Sequence, residues 1–318
     1  MLINKEINAI INEYSKYSPF HGNGLTNHLP MAQFALHKMG VTNQGIREYS
    51  EAYIRRWHVL DPHEHPTIEI KKITDELGNF EAYMSYAVYF LDRISREDPY
   101  KVVKEVLNTL YKGLASALFH GIIRLAYAVE ADNHIELAHA LAFFASVYKE
   151  TRFAEREIPI NDLHKELLCS IPDSEVGKKD HPVNHFYIEG DVKEKEQALA
   201  EALAELYTIT GSFAVLHTVT GIQALLLLKP LFNNYGEVFD RYTVCVQRAL
   251  LRVSKEDFKK INLDHSRTDW DEIFHAARSV EDAHTIKLAY SCYKLDKIFE
   301  NSTFAKAANI KLKLDHNL

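Results

Sequence analysis

The stretch ALFHGIIRLAY, residues 117–127, sets one histidine and one arginine into an otherwise apolar helical run. His120 and Arg124 are four apart and share a helical face, while Leu114, Ala117, Leu118, Ile122 and Leu125 cover the rest. A helix apolar nearly all round is buried. An unpaired polar group in the interior costs on the order of 1–3 kcal/mol and an unpaired charge more. The imidazole and guanidinium must therefore meet partners.

The surrounding pattern repeats the helical signal. With 12 glycines and 9 prolines in 318 residues, long helices dominate the reading, and no segment shows sustained alternation with β-branched enrichment. The expected fold is all-α, a single large multi-helix domain over residues 1–318 with a buried site. Residues 2–16 read as an amphipathic helix carrying Ile3, Ile7, Ile10, Ile11 and Tyr14 on one side. FHGNGLTNHLPM (20–31) is a glycine-rich turn leading into a helix that Thr26 or Asn27 caps, with His28 in its first turn. Further helices are expected at about 43–58, 80–95 and 100–129, then one from Asp132 or Asn133. Residues 151–193 form an irregular loop or lid. A long helix or broken pair over 194–228 has Gly211 and Gly221 as kink points, and helices at about 237–252, 269–280 and 282–299 follow.

Composition removes several classes of function. The chain is 47% hydrophobic and 25% charged, with a net charge of −7 and no basic run, which argues against nucleic acid as a partner. No 18-residue apolar run occurs and the first residues carry charges, so a cytoplasmic protein without a membrane span is expected. Three well-separated cysteines, Cys169, Cys245 and Cys292, offer neither a disulfide framework nor a CxxC site. Nucleotide-binding glycine loops, GxSxG and HExxH are absent.

Seventeen histidines are the compositional excess. Four lie in separate helices or at helix starts: His28, His120, His217 in FAVLHTVTGIQALLLL, and His284 in EDAHTIKLAY. Neutral imidazoles converging from facing helices hold divalent ions such as iron, zinc, copper or nickel. Their remaining N–H groups would go to partners such as Asp282, Glu130 or Thr220. Lys287, three residues after His284, is repelled by a cation while protonated, and burial also favours its neutral amine. A neutral amine adds carbon dioxide to give a carbamate, an anionic oxygen ligand; the other reading pairs Lys287 with an acid outside the site. His21, His139 and His275 are rival donors, whereas His58, His63 and His65 read as a solvated loop cluster, and HPVNH (181–185) reads as loop. Arg124 either orients a substrate oxygen or pairs with a carboxylate such as Glu130 or Glu136.

FHGNGLTNHLPMAQFALHKMG, LFHGIIRLAYAVEADNHIELAHALAFF, YTITGSFAVLHTVTGIQAL and DAHTIKLAY together resemble, in order, four blocks of the questin oxidase-like family. That resemblance implies an oxygenase that oxidises or opens a ring of a polycyclic aromatic ketone or quinone, with dioxygen as co-substrate. It implies either Baeyer–Villiger-type chemistry with NADPH or a non-haem iron (Fe2+) centre with histidine ligands and a modified lysine. On the second description His28, His120, His217 and His284 are the ligands and Lys287 is the modified lysine; beside the resemblance, Arg124 is expected to orient the small-molecule aromatic substrate. The chain is shorter than the fungal members, and 151–193 matches none of the blocks. A non-catalytic helical scaffold or ligand-binding protein, or a zinc or nickel hydrolase, are the competing expectations.

Overall fold

In the computed structural model, which describes residues 4–22, 24–58, 68–151, 154, 156–175, 185–258 and 269–316, the chain divides into two compact units interleaved in sequence. The first is Met1–Glu150 with Ala224–Asn233 and Glu281–Lys287; the second is Thr151–Gln223 with Asn234–Val280 and Leu288–Leu318. Fourteen α-helices and two very short two-stranded ladders account for the regular structure among the described residues, so the all-α expectation holds.

The first unit holds α1 (Lys5–Tyr14), β1 (Phe20–His21), β2 (Leu25–Thr26), α2 (Leu29–Lys38), α3 (Asn43–Trp57), α4 (Tyr83–Arg96), α5 (Pro99–Leu110), α6 (His120–Ala131) and α7 (His134–Ser146). Its centre is α7, buried at every position from Glu136 to Ser146 and packed against α1, α4, α5 and α6. A run as apolar as LAHALAFFA has no solvent face, so the other helices wrap it. Each buried Leu or Phe contributes about 1.5–3 kcal/mol. The helix starts follow side-chain chemistry: Thr42 accepts the Gly45 N–H, Asp98 accepts the Tyr100 N–H with Pro99 as first residue, and Asn133 accepts the Glu136 N–H. On α1 the expected stripe is present as buried Ile7, Ile10, Ile11 and Tyr14, while Ile3 lies outside the described residues.

The expected continuous helix over 100–129 is broken. α5 ends at Leu110, a 3-10 turn covers Tyr111–Gly113, and Ala117, Leu118 and Phe119 all take left-handed backbone (φ 47°, 55° and 66°) before α6 begins at His120. Left-handed backbone costs a non-glycine residue roughly 1–2 kcal/mol, and neither glycine nor proline marks the break at 117–119. Tertiary contacts impose it: Ser116 Oγ accepts the Lys149 N–H at 2.8 Å, and Gly113 lies so close to the Tyr148 ring that a Cβ there would be 2.6 Å from it.

The second unit contains β3 (Arg156–Ile158), α8 (Leu163–Cys169), β4 (Phe186–Ile188), α9 (Val192–Thr210), the start of α10 (Phe213–Leu228), α11 (Tyr235–Leu250), α12 (Trp270–Ala277), the larger part of α13 (Ala283–Phe299) and α14 (Thr303–His316). The 151–193 segment is thus more ordered than a loop: β3 and β4 pair in parallel, and Gln247 on α11 exchanges hydrogen bonds with Phe186. Gly211 ends α9 in left-handed conformation (φ 55°), whereas Gly221 lies within α10. α14 is a helix absent from the sequence expectation. One window, Phe213–Leu231, is long and apolar enough to cross a membrane, and 72% of it is buried within the protein, as in a core helix. His63, His65 and most of HPVNH lie outside the described residues.

Candidate metal centre

Three helices of the first unit deliver histidines by their starts. His28 is the N-cap of α2, His120 the first residue of α6 and His284 the second residue of α13. This corrects the placement of His120 in mid-helix and of His28 inside the first turn. The base of the β1–β2 hairpin fixes His28: Asn27 donates its backbone N–H to Pro19 O and accepts the Leu29 N–H, while the His28 N–H donates to Tyr53 Oη at 2.9 Å.

The three imidazoles converge. His28 Nε2 and His120 Nε2 are 2.7 Å apart, and the His28 and His284 ring centroids are 4.5 Å apart. One ligand atom from each lies within 4.8 Å of the others. His120 Nδ1 is tied to Ala117 O, the carbonyl of the strained turn, and His284 Nδ1 lies 3.0 Å from Asp282 Oδ1. An N–H given to a carbonyl or carboxylate fixes the tautomer and leaves Nε2 as the lone-pair donor. Two lone pairs cannot face each other at this separation, so His28 and His120 need a proton or a cation between their Nε2 atoms.

Electrostatics favour the neutral form of His120. Burial, then the nearby Lys287 charge, holds His120 well below the usual histidine range. Three helix N-termini at one place add positive potential of the same sense, which also favours an anionic ligand. Lys287 is fully buried, its Nζ has no hydrogen-bond partner, and burial pushes its pKa down to about 7 against a small opposing pull from Asp282. Among the described residues no carboxylate hydrogen-bonds to Lys287 Nζ.

His217 sits in the second unit, fully buried on α10, with Nδ1 2.7 Å from Phe213 O. Its Nε2 is therefore the presented atom, as in His120. Backbone carbonyls hold Nδ1 of His120 and His217; Thr220 Oγ1 donates to Leu216 O and His217 O.

Arg124, one turn beyond His120, is clamped by Glu136: Nε–H and Nη2–H donate to the two carboxylate oxygens at 2.6 and 3.0 Å. Both side chains are almost fully buried, and the Tyr83 hydroxyl and the Phe143 ring flank the guanidinium. Glu136 rather than Glu130 is thus its carboxylate partner. The rival histidines have other surroundings: His139 Nδ1 is 2.8 Å from Tyr83 Oη, His21 lies beside Trp57, and His275 belongs to α12 of the second unit.

The family model Questin oxidase-like matches residues 25–206, more than half of the chain. His28, His120 and Arg124 fall inside that span; His217, His284 and Lys287 lie beyond it. No curated protein matches the chain. With the family model covering more than half of its length, the chain belongs to the Questin oxidase-like family and has an oxidase type of role.

Proposed function

We propose that the protein is a non-haem iron-dependent oxygenase that oxidises or opens a ring of a polycyclic aromatic ketone or quinone. The observation that carries this reading is the fully buried Lys287 amine, without a hydrogen-bond partner, at a site where three imidazoles present nitrogen donors. A merely structural core does not retain such an amine, because an apolar side chain of the same shape is cheaper there.

The residues fit a metal by their donor chemistry. His28, His120 and His284 would supply imidazole nitrogens, and His217, buried with an anchored Nδ1, is the fourth donor this reading assigns. Lys287, whose pKa burial brings down to about 7, would add carbon dioxide through its neutral amine, lose a proton and become a carbamate oxygen donor. Imidazole ligation suits iron among other metals, and the family's oxidase role supports choosing iron. Bound iron supplies Lewis-acid and electron-transfer chemistry toward dioxygen and the substrate.

The chain's own contribution is positioning. The positive helix ends hold an ionised phenolic or enolic oxygen of the substrate. Arg124, its plane fixed by Glu136, orients a second substrate oxygen, and the apolar faces of α6 and α7 keep water away. Baeyer–Villiger-type insertion requires two electrons to reduce the second oxygen atom to water, and NADPH is the donor assigned to that outcome; ring opening that incorporates both atoms needs none. The cytoplasm is the compartment this reading assigns, in keeping with three well-separated cysteines that offer no disulfide framework.

The test is oxygen uptake by iron-loaded protein with a panel of hydroxyanthraquinones, with and without NADPH. Substrate-dependent uptake that vanishes in His120→Ala is expected. No uptake with any member of the panel by protein shown to hold iron would overturn the substrate assignment.

A further inference from the structure

The turn that presents His120 rests on the end of α7 at three places: Gly113 against Tyr148, Ser116 on Lys149, and Gly121 against Phe144. The third is the closest to the site. A Cβ on Gly121 would fall 2.6 Å from Phe144 Cδ2, 3.0 Å from Cγ and 3.3 Å from Cε2. Phe144 is fully buried on the central helix and has no room to swing aside. We infer that Gly121 is a positioning residue, whose missing side chain lets α6 seat on the Phe144 ring and so sets the position of the His120 imidazole.

The inference rests on the metal reading of His120 and adds to it a determinant one residue away. Carbon atoms in ordinary contact lie about 3.5–4.0 Å apart, so an alanine would drive the start of α6 outward by about 1 Å. A metal–nitrogen bond tolerates only about 0.2 Å of change. Distortion would concentrate where the backbone is already strained, at Ala117–Phe119, whose first carbonyl holds His120 Nδ1.

Cobalt(II) is the probe, because its visible d–d bands report coordination without requiring turnover. Gly121→Ala should fold, by far-UV circular dichroism, yet bind cobalt at least tenfold more weakly and with altered bands. Removing the ring should rescue it, so that Gly121→Ala/Phe144→Ala binds as Phe144→Ala does. Wild-type affinity and bands in Gly121→Ala overturn the inference, as does a double variant tenfold weaker than Phe144→Ala. The latter comparison decides the matter even if Gly121→Ala alone does not fold. Wild-type protein that takes up no cobalt refutes the metal reading and the inference with it, whereas binding unchanged by the substitution refutes the inference alone.

Discussion

Replacing Glu136 by glutamine should be among the most destabilising single changes in the first unit. The carboxylate makes two charged hydrogen bonds, at 2.6 and 3.0 Å, to a guanidinium only 4% exposed. Arg124 cannot escape by losing its proton: burial lowers its pKa, but the combined pull of Glu136 and Tyr83 leaves it raised. Glu136→Gln therefore strands a charge with Tyr83 and the Phe143 ring for company, at a cost of about 3–5 kcal/mol. With a guanidinium chloride slope on the order of 4 kcal/mol per M, the midpoint falls by about 1 M. Trp57 lies in the first unit and Trp270 in the second, so Trp57 fluorescence in a Trp270→Phe background follows the relevant unit. Arg124→Met/Glu136→Leu removes both charges and should recover most of the stability while losing turnover, because the substrate-orienting group is gone. A Glu136→Gln midpoint within about 0.2 M of its parent would refute the buried-pair argument, and full turnover in the double variant would refute the role of Arg124.

Other consequences are equally direct. Ala117→Gly, at an exposed position with φ 47°, should stabilise by about 0.5–1 kcal/mol in thermal or chemical unfolding, and a loss of stability would contradict the strain assigned to the turn. Asn133→Ala removes the cap that accepts the Glu136 N–H at 3.1 Å and should cost about 1–2 kcal/mol by denaturant titration. Lys287→Met should raise the melting temperature of metal-free protein, since the unpartnered amine is replaced by apolar volume, while weakening metal uptake at least tenfold; unchanged uptake would exclude Lys287 as a ligand. Removing metal from wild-type protein with a chelator should lower its melting temperature, and the same treatment should leave His120→Ala unmoved.

Much of this architecture is written in local chemistry. The isoleucine stripe of α1, a helix start at Asp132 or Asn133, and an interruption at Gly211 follow from period, capping and backbone preference; the structure has the stripe, takes Asn133 as the cap, and ends α9 at Gly211. The break before His120 was not legible, because alanine, leucine and phenylalanine do not ordinarily adopt left-handed backbone; contacts with Tyr148, Lys149 and Phe144 impose it from another part of the chain. For the same reason the sequence placed His28 and His284 near helix starts but left His120 in mid-helix. Glu136 as the partner of Arg124 was one of two named carboxylates, and only the packing of α6 on α7 separates it from Glu130. The small β3–β4 ladder lay hidden in a segment whose three-residue strands are too short to show alternation.

Elemental analysis of protein purified anaerobically without chelator, beside His120→Ala treated identically, tests the central claim most directly. The account predicts near-stoichiometric iron in the first sample and its loss in the second. Protein that holds no metal in either sample, even after reconstitution with ferrous iron, would contradict it.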